Sequence, residues 1–294
     1  MKSPSVSIVL LNWNNSEETK ECIKSIKKLT YENFDTWVLD NGSTDDSVKE
    51  LKKLESKRIS LVLGKENHGF AEGNNFLVKE ILKTKNPDYV LILNNDTILP
   101  KELLSELVGA AEKRNASVIG PRLIDSEGNE IPNFCEMDKF LLNSNWEFPG
   151  NKNKIIKTDC VAGCCMLIKT EDYLRFGGFK KEYFIYNEET DLCFRMKKKG
   201  KKLFLNLNTT IIHAEGASFK KERKIPLYYH TRNQFLLRKD HYKFPMYTLF
   251  VMKYSLIEVP KKIIYLTITR QIKMIPTYFK GIFHGLFNLR GKRM

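Results

Sequence analysis

Asn94, Asn95 and Asp96 close a continuous apolar run from Tyr89 to Leu93, and Pro100 stops the extended chain shortly afterwards. Such a run reads as a strand buried on both faces of a parallel sheet, and open α/β sheets bind ligands outside the carboxyl ends of their strands. A carboxylate beside two amides at that point suits a hard divalent cation or a sugar hydroxyl. The same residues also fit a polar turn in which Asp96 or Thr97 caps the next helix. A second acidic group, Glu188, Glu189 and Asp191, occupies the first turns of a helix that Gly200 ends. Acidic residues are favoured there by the helix dipole, so capping stands as the alternative to chemistry. A lone histidine, His213, follows Ile211 and Ile212.

The elements needed to position these groups alternate along the chain. Ser5–Leu11 reads as a strand followed by Asn12, Trp13, Asn14 and Asn15. Ser16–Leu29 then reads as a helix capped by Ser16, with Ile23, Ile26 and Leu29 on one face. Thr36–Leu39 is a second strand ending in the polar loop Asp40–Ser47, which completes a βαβ unit. A helix over Val48–Leu54 and a strand over Ile59–Leu63 lead to the loop Asn67–Asn75. Two glycines there open a helix expected over Asn74–Leu82, whose first N–H groups could face phosphate. Its spacing fits neither G-x-G-x-x-G nor a P-loop lysine motif. Beyond a helix over Lys101–Arg114 and a strand near Ser117–Ile119, Asp125–Lys157 is polar and irregular, as functional loops often are. Buried strand character returns at Val161–Lys169, and two separate strands are expected at Lys202–Leu207 and Ile211–His213.

With 294 residues the chain can bury a full core, as one large domain or two unequal ones. Its net charge of +14 is uneven: residues 225–294 hold thirteen Lys and Arg against two Asp and Glu. Such an excess calls for an anionic partner. In that stretch Tyr247, Phe250, Val251 and Tyr254 follow helical spacing, but lysines and Glu258 interrupt every run long enough to span a bilayer. A helix lying on an anionic membrane surface and a helix packed on its own domain both fit. The six cysteines form no C-x-x-C pair and read as reduced, buried small hydrophobes. The apolar run Val6–Leu11 is too short for a signal peptide, so a cytoplasmic protein is expected, peripheral on the inner face of the plasma membrane if the basic tail engages lipid.

Six ordered segments together resemble the family 2 glycosyltransferases, inverting enzymes of the GT-A type, and especially their rhamnosyltransferase-like members. They are VSIVLLNWNN from Val6, LDNGSTDDS from Leu39, NHGFAEGNN from Asn67, LILNNDTIL from Leu91, the stretch Gly163–Gly200, and IIHAEGAS from Ile211. The resemblance implies the GT-A (nucleotide-diphospho-sugar transferase) α/β fold, a mostly parallel central sheet flanked by helices, with a C-terminal helical extension. Residues 1–224 would form the catalytic domain, 1–97 its nucleotide half and 98–224 its acceptor half, and 225–294 the basic, aromatic-rich extension. It further implies a UDP- or dTDP-sugar donor, Mg²⁺ or Mn²⁺, and a glycan or lipid-linked acceptor in surface polysaccharide synthesis.

Carried onto this sequence, Asp40 matches the carboxylate that reads the pyrimidine base, with Asn12 and Asn14 beside it. Asn67, Gly69 and Asn74 match the loop under nucleotide and donor sugar. Asn94-Asn95-Asp96 takes the place of the family's D-x-D, with Asn94 in place of the first carboxylate. Asp96 is thereby left as the main metal ligand, and His213 matches a histidine that completes the metal shell in some members. Glu188-Glu189 matches the acidic pair, with Glu189 expected as base and Glu188 in reserve, and Gly163 and Asp191 fall on the acceptor side. Two other readings share some of these features. A nucleotidyltransferase would want a basic Gly-rich loop after the first strand, and Asn12–Ser16 has neither Gly nor Lys. A membrane- or nucleic-acid-binding module would use the basic tail alone and would leave the strand-end carboxylates unexplained; no nucleic-acid partner is expected.

Overall fold

The computed structural model describes residues 3–137, 144–150, 154–214 and 223–294, so Glu215–Ser218 of the sixth matching segment and parts of the Asp125–Lys157 stretch lie outside it. The apolar runs become strands β1 (Val6–Asn12), β2 (Phe34–Asp40), β3 (Ile59–Leu63) and β4 (Tyr89–Asn94). Five more join them, the short β5 (Thr97–Ile98), β6 (Val118–Ile124), the β7–β8 hairpin (Phe134–Met137, Ser144–Glu147) and β9 (Ile155–Lys157). The last two are β10 (Cys165–Lys169) and β11 (Leu203–His213). Apart from the hairpin they form one mixed sheet in the order β3-β2-β1-β4-β10-β6-β11-β5, with β9 on β11. The strands β3, β2, β1 and β4 are parallel, and β10 enters antiparallel between β4 and β6. That reversal brings the turn before β10, with Gly163 and Cys164, to the carboxyl end of β4, where Asn94 N–H donates to the Cys164 carbonyl at 2.9 Å.

The two strands expected at Lys202–Leu207 and Ile211–His213 are one, β11, carrying a register shift between Asn206 and Thr210. The bulge lets the strand bend while staying paired to β6, and its last residue then lies opposite Thr97 of β5. This pairing delivers His213 to Asp96.

Side chains alternate across the sheet and build a core on each face. Ile8, Leu10, Leu91 and Leu93 pack with helices α1 (Ser16–Ile26) and α4 (Leu103–Arg114) on one side, beyond the small α2 (Ser47–Lys52). Val9, Leu39, Ile92 and Met166 pack with α3 (Gly69–Leu82), α5 (Thr170–Arg175) and α6 (Glu188–Lys198) on the other. All six cysteines are buried and unbridged. Helix α1 starts at Ser16, so Ser16 is its first residue rather than its cap; Asn15 holds the cap position and reaches Glu18 with its side-chain amide.

Helix α3 begins five residues earlier than its sequence suggests, at Gly69 instead of Asn74. Gly69 has φ +73°, and any side chain there would strike the Phe184 carbonyl. The N–H groups of Phe70 and Ala71 donate to that same carbonyl, at 2.8 and 3.2 Å, so they are not available to phosphate.

From Lys224 onward the chain is mostly helical: α7 (Lys224–His241), α8 (Phe244–Lys253), a π-helical turn over Tyr254–Glu258, α9 (Val259–Ile268) and α10 (Ile275–Leu286). Helices α7 and α10 touch backbone to backbone, because Gly285 leaves no Cβ to meet the Arg232 carbonyl. Phe250 and Tyr254, on the face read from spacing, pack inward with Phe235 and Tyr278. Other apolar groups of the same helices, Leu249, Met252, Leu256 and Ile268, stay exposed. No helix among the described residues is long and apolar enough to cross a membrane.

Candidate active site

At the carboxyl ends of β1, β4 and β11 the molecule opens into a cavity of about 400 Å³. Asn67, Gly69, Asn94, Asn95, Asp96, Gly163, Glu188, Glu189 and His213 all line it, although they come from five separate stretches of sequence. Asp96 and His213 face each other with Oδ1 and Nε2 3.2 Å apart, held by the β5–β11 pairing and by Ala214 N–H donating to the Asp96 carbonyl at 3.0 Å. Asn94 Nδ2 lies 3.3 Å from the same imidazole nitrogen, and Asn95 Nδ2 donates to Thr19 Oγ1 at 2.9 Å. Burial works against a charged His213, but Cys164 and Asp96 outweigh it and push the imidazole up to about 11.

Asp96 Oδ1 is buried with the His213 imidazole as its neighbour, and a divalent cation that displaced the imidazole proton would satisfy both groups. Among the described residues no cluster of three or more His, Cys, Asp and Glu side chains could hold a metal ion. Asp96 and His213 therefore fit as two ligands of a cation whose remaining positions fall to ligand oxygens and water.

Across the cavity, α6 points its first turn inward. Glu188 is 3% exposed, with Oε2 lacking any partner, and Glu189 is more open. Burial raises the carboxyls of both, that of Glu188 far above the ordinary range with Glu189 and Asp191 pushing the same way. Gly163 lies against this turn, and a Cβ there would touch Glu189 Cβ and Cγ at 3.5 Å.

The turn ahead of α6 is strained. Phe184, Tyr186 and Asn187 have φ of 68°, 69° and 71°, values that side-chain-bearing residues rarely adopt and that persist only where surroundings enforce them. The enforcement comes from α7. Buried Asn233 directs Nδ2 at the carbonyls of Tyr183, Ile185 and Tyr186, at 3.0, 2.7 and 2.7 Å. Buried Arg232 reaches the Tyr183 and Glu182 carbonyls at 2.8 and 3.2 Å. Replacing Asn233 by Leu removes the donors from this turn, and we expect a loss of about 1–3 kcal/mol in urea unfolding. Turnover should fall as well, because Glu188 and Glu189 follow directly; unchanged unfolding and turnover would contradict this.

Five expected site residues stay out of the cavity wall. Asn12 and Asp40 are neighbours in register, and the Asp40 carboxylate, 1% exposed, accepts from Asn12 Nδ2 at 3.0 Å and Ser43 N–H at 2.9 Å. Asn14 supports the same turn, its Oδ1 accepting from Thr44 N–H at 2.8 Å. Asn74 lies inside α3 with its amide on the Phe70 carbonyl. Asp191, expected on the acceptor side, turns the other way into an ion cluster: Arg195 Nε is at 2.7 Å, His241 Nε2 at 2.8 Å and Lys180 Nζ at 3.0 Å. Burial opposes its ionisation, but those three partners outweigh it and hold the carboxyl below the usual range. Two residues after Glu189, it points roughly 200° round the helix from that side chain, and its three partners hold it there.

Conversely, Trp13, Asn41, Trp146, Cys164 and the Phe184–Tyr186 turn line the cavity without having been singled out. Asn41 follows Asp40 directly; it links the β2 end to α3 by donating to the Gly69 carbonyl at 3.1 Å and accepting from His68 N–H at 3.1 Å. Its place one residue past a strand-end carboxylate was the available signal.

Comparison with known proteins agrees with this architecture. The model of the family described as Glycosyl transferase family 2 matches residues 7–176. The hexosyltransferase Agl10 of low-salt glycan biosynthesis in Haloferax volcanii is 24% identical over 98% of this chain and 92% of its own length. The rhamnosyltransferase WbbL of Escherichia coli is 30% identical over 46% of this chain and 57% of that protein. A Mycobacterium tuberculosis N-acetylglucosaminyl-diphospho-decaprenol L-rhamnosyltransferase is 19% identical over 80% of this chain and 84% of its own. Among solved structures, the mannosyltransferase PcManGT of Pyrobaculum calidifontis, in complex with GDP-Man and Mn²⁺, superposes with a TM-score of 0.62 at 12% identity, covering 98% of this chain and 88% of that one.

Proposed function

This chain belongs to glycosyl transferase family 2, and from that premise we propose that it transfers a sugar from a UDP- or dTDP-linked donor to a glycan or lipid-linked acceptor, with inversion at the anomeric carbon. The observation that carries the proposal is the single cavity with the Asp96–His213 pair on one wall and the Glu188–Glu189 pair on the other. Mg²⁺ or Mn²⁺ held there would supply positive charge against the growing charge of the departing diphosphate. Asp96 and His213 would hold the ion, and Asn94 and Asn95 would meet the sugar or ribose. Asn67 and Gly69 would form the floor under the donor, while Asp40, Asn12 and Asn14 would shape the turn that receives the base. Gly163 leaves room beside Glu189 for the acceptor, and Glu189 takes the proton from the attacking hydroxyl as it adds to the opposite face of the sugar. No covalent sugar–enzyme intermediate is required.

In this reading residues 1–97 serve the nucleotide and 98–224 the acceptor, and the basic helices of 225–294 rest on an anionic membrane surface at the inner face of the plasma membrane. PcManGT, whose structure holds GDP-Man and Mn²⁺, supports by fold alone a nucleotide-diphosphate sugar and a divalent cation, and not the choice of base. A thermal-shift screen of UDP-, dTDP- and GDP-sugars with and without Mn²⁺ tests the proposal, since a ligand bound only by the folded state raises its stability. A metal-dependent upward shift with one donor is expected, and no shift with any of them would reject it.

The raised carboxyls fix the sign of the pH dependence. Glu189 acts as base only when ionised, so activity is lost as pH falls through the apparent pKa of the glutamate pair, above the ~4.3 of a free Glu. A kcat/KM profile whose acid limb follows an unperturbed carboxylate would contradict the assignment.

A further inference from the structure

Next to the catalytic cavity lies a larger one of about 730 Å³, walled by α7, the α8–α9 run and α10. The two have Trp146 and His230 in common, so they adjoin. The second cavity is lined by four cationic side chains, Arg223, Arg238, Lys253 and Lys262, and by one acid, Glu258. The π-helical turn of Tyr254–Glu258 puts both of its end residues into this wall, and such turns recur at functional sites.

Arg238 decides what the cavity is built for. It is 6% exposed, and among the described residues no carboxylate forms an ion pair with it. Its Nη1 donates to the Gln234 carbonyl at a long 3.3 Å, its guanidinium covers the Phe250 ring at 4.8 Å, and its Nε has no acceptor. Burial pulls its proton affinity down, and nearby Tyr242 only partly opposes this. A buried cation left without an anion is costly to keep, and an arginine fork matches phosphate oxygens. Outside the cavity, Leu256, Ile264 and Ile268 are 74%, 58% and 76% exposed on the helices that carry Lys253 and Lys262.

We propose that this second cavity binds the diphosphate of a lipid-linked acceptor, with Arg238 as its buried counter-charge, Lys253 and Lys262 beside it, and the exposed Leu256–Ile268 flank taking the adjoining hydrocarbon. The proposal deepens the glycosyl-transfer reading and rests on it for the word acceptor. An anionic phospholipid headgroup shares the phosphate chemistry, but it would have no reason to sit in a cavity that adjoins the catalytic one. A diphosphate held there places the sugar attached to it past Trp146 and His230, towards Glu189.

The test is equilibrium binding of geranylgeranyl diphosphate to the full chain in EDTA, with geranylgeraniol and phosphatidylglycerol vesicles as separate arms. Wild type should bind the diphosphate lipid, and added UDP should not displace it. The alcohol should bind far more weakly, and Arg238→Gln and the double variant Lys253→Gln/Lys262→Gln should each weaken the diphosphate roughly 10- to 100-fold. The lysine pair, on the cavity's more open side, keeps the test valid if Arg238→Gln does not fold. Displacement by UDP would place the probe in the donor cavity and overturn the proposal. So would equal binding by wild type and both variants, or vesicle binding with the same dependence on Arg238. Binding of UDP with Mn²⁺, followed in the same proteins, reports on the glycosyl-transfer reading separately: its failure beside intact lipid binding would overturn that reading and leave an anionic-lipid site.

Discussion

Asp96→Ala is expected to abolish turnover and, with it, the part of donor binding that requires a divalent cation. Asp96 is the carboxylate that follows β4, with amides at Asn94 and Asn95, and His213 faces it across β5 at 3.2 Å. Loss of a ligand that positions a cation on the departing diphosphate removes several kcal/mol of transition-state stabilisation, or roughly 10³-fold or more in rate. Titration of UDP with and without Mn²⁺ checks the binding half: wild type should show a Mn²⁺-dependent increment and the variant none. Folding should survive, because the imidazole of His213, whose proton Asp96 helps to hold, can stay neutral once that carboxylate is gone. A variant that keeps its Mn²⁺-dependent increment would transfer the metal to other residues.

Glu189→Gln should separate chemistry from binding. The substitution keeps size and hydrogen-bonding capacity but removes the ability to take a proton, and loss of a positioned base costs about 10²–10⁴ in rate. Donor affinity with Mn²⁺ should be unchanged, because Glu189 lies on the wall opposite Asp96. Glu188→Gln should behave differently. Its buried carboxyl, with Oε2 unpartnered, is raised further than that of Glu189, chiefly by burial and then by Glu189 itself, so it is already neutral where Glu189 titrates and replacing it should leave the acid limb of activity in place. Full activity in Glu189→Gln would give the role of base to Glu188.

Sequence patterns reached the parts of the molecule governed by local physics. The buried strands were legible because β1 and β4 are apolar on both faces, and their polar ends marked the cavity because strand ends are where backbone and side-chain polarity is left facing a ligand. The starts of α3 and the Asp191 side of α6 were not. Helix α3 begins at Gly69 because a carbonyl over a hundred positions away, that of Phe184, satisfies its first N–H groups. The direction of Asp191 depends on Lys180, Arg195 and His241 gathering behind the helix. Periodicity carries no record of such distant partners. Splitting β11 in two had a local cause: Asn208, Thr209 and Thr210 look like a turn, and only pairing with β6 shows them as a bulge. In the last quarter the spacing of Phe250 and Tyr254 identified a face but not its neighbour, which is Phe235 of α7.

The turn that aims Glu188 and Glu189 into the cavity is secured by residues more than a hundred positions further along the chain. Gly291 N–H donates to the Glu182 carbonyl at 2.8 Å while its own carbonyl receives Arg232, and Arg290 pairs with Asp240, which also holds Lys180. A chain deprived of Arg290 and Gly291 would therefore carry Glu188 and Glu189 on a loosened hinge, although neither Arg290 nor Gly291 lines the cavity.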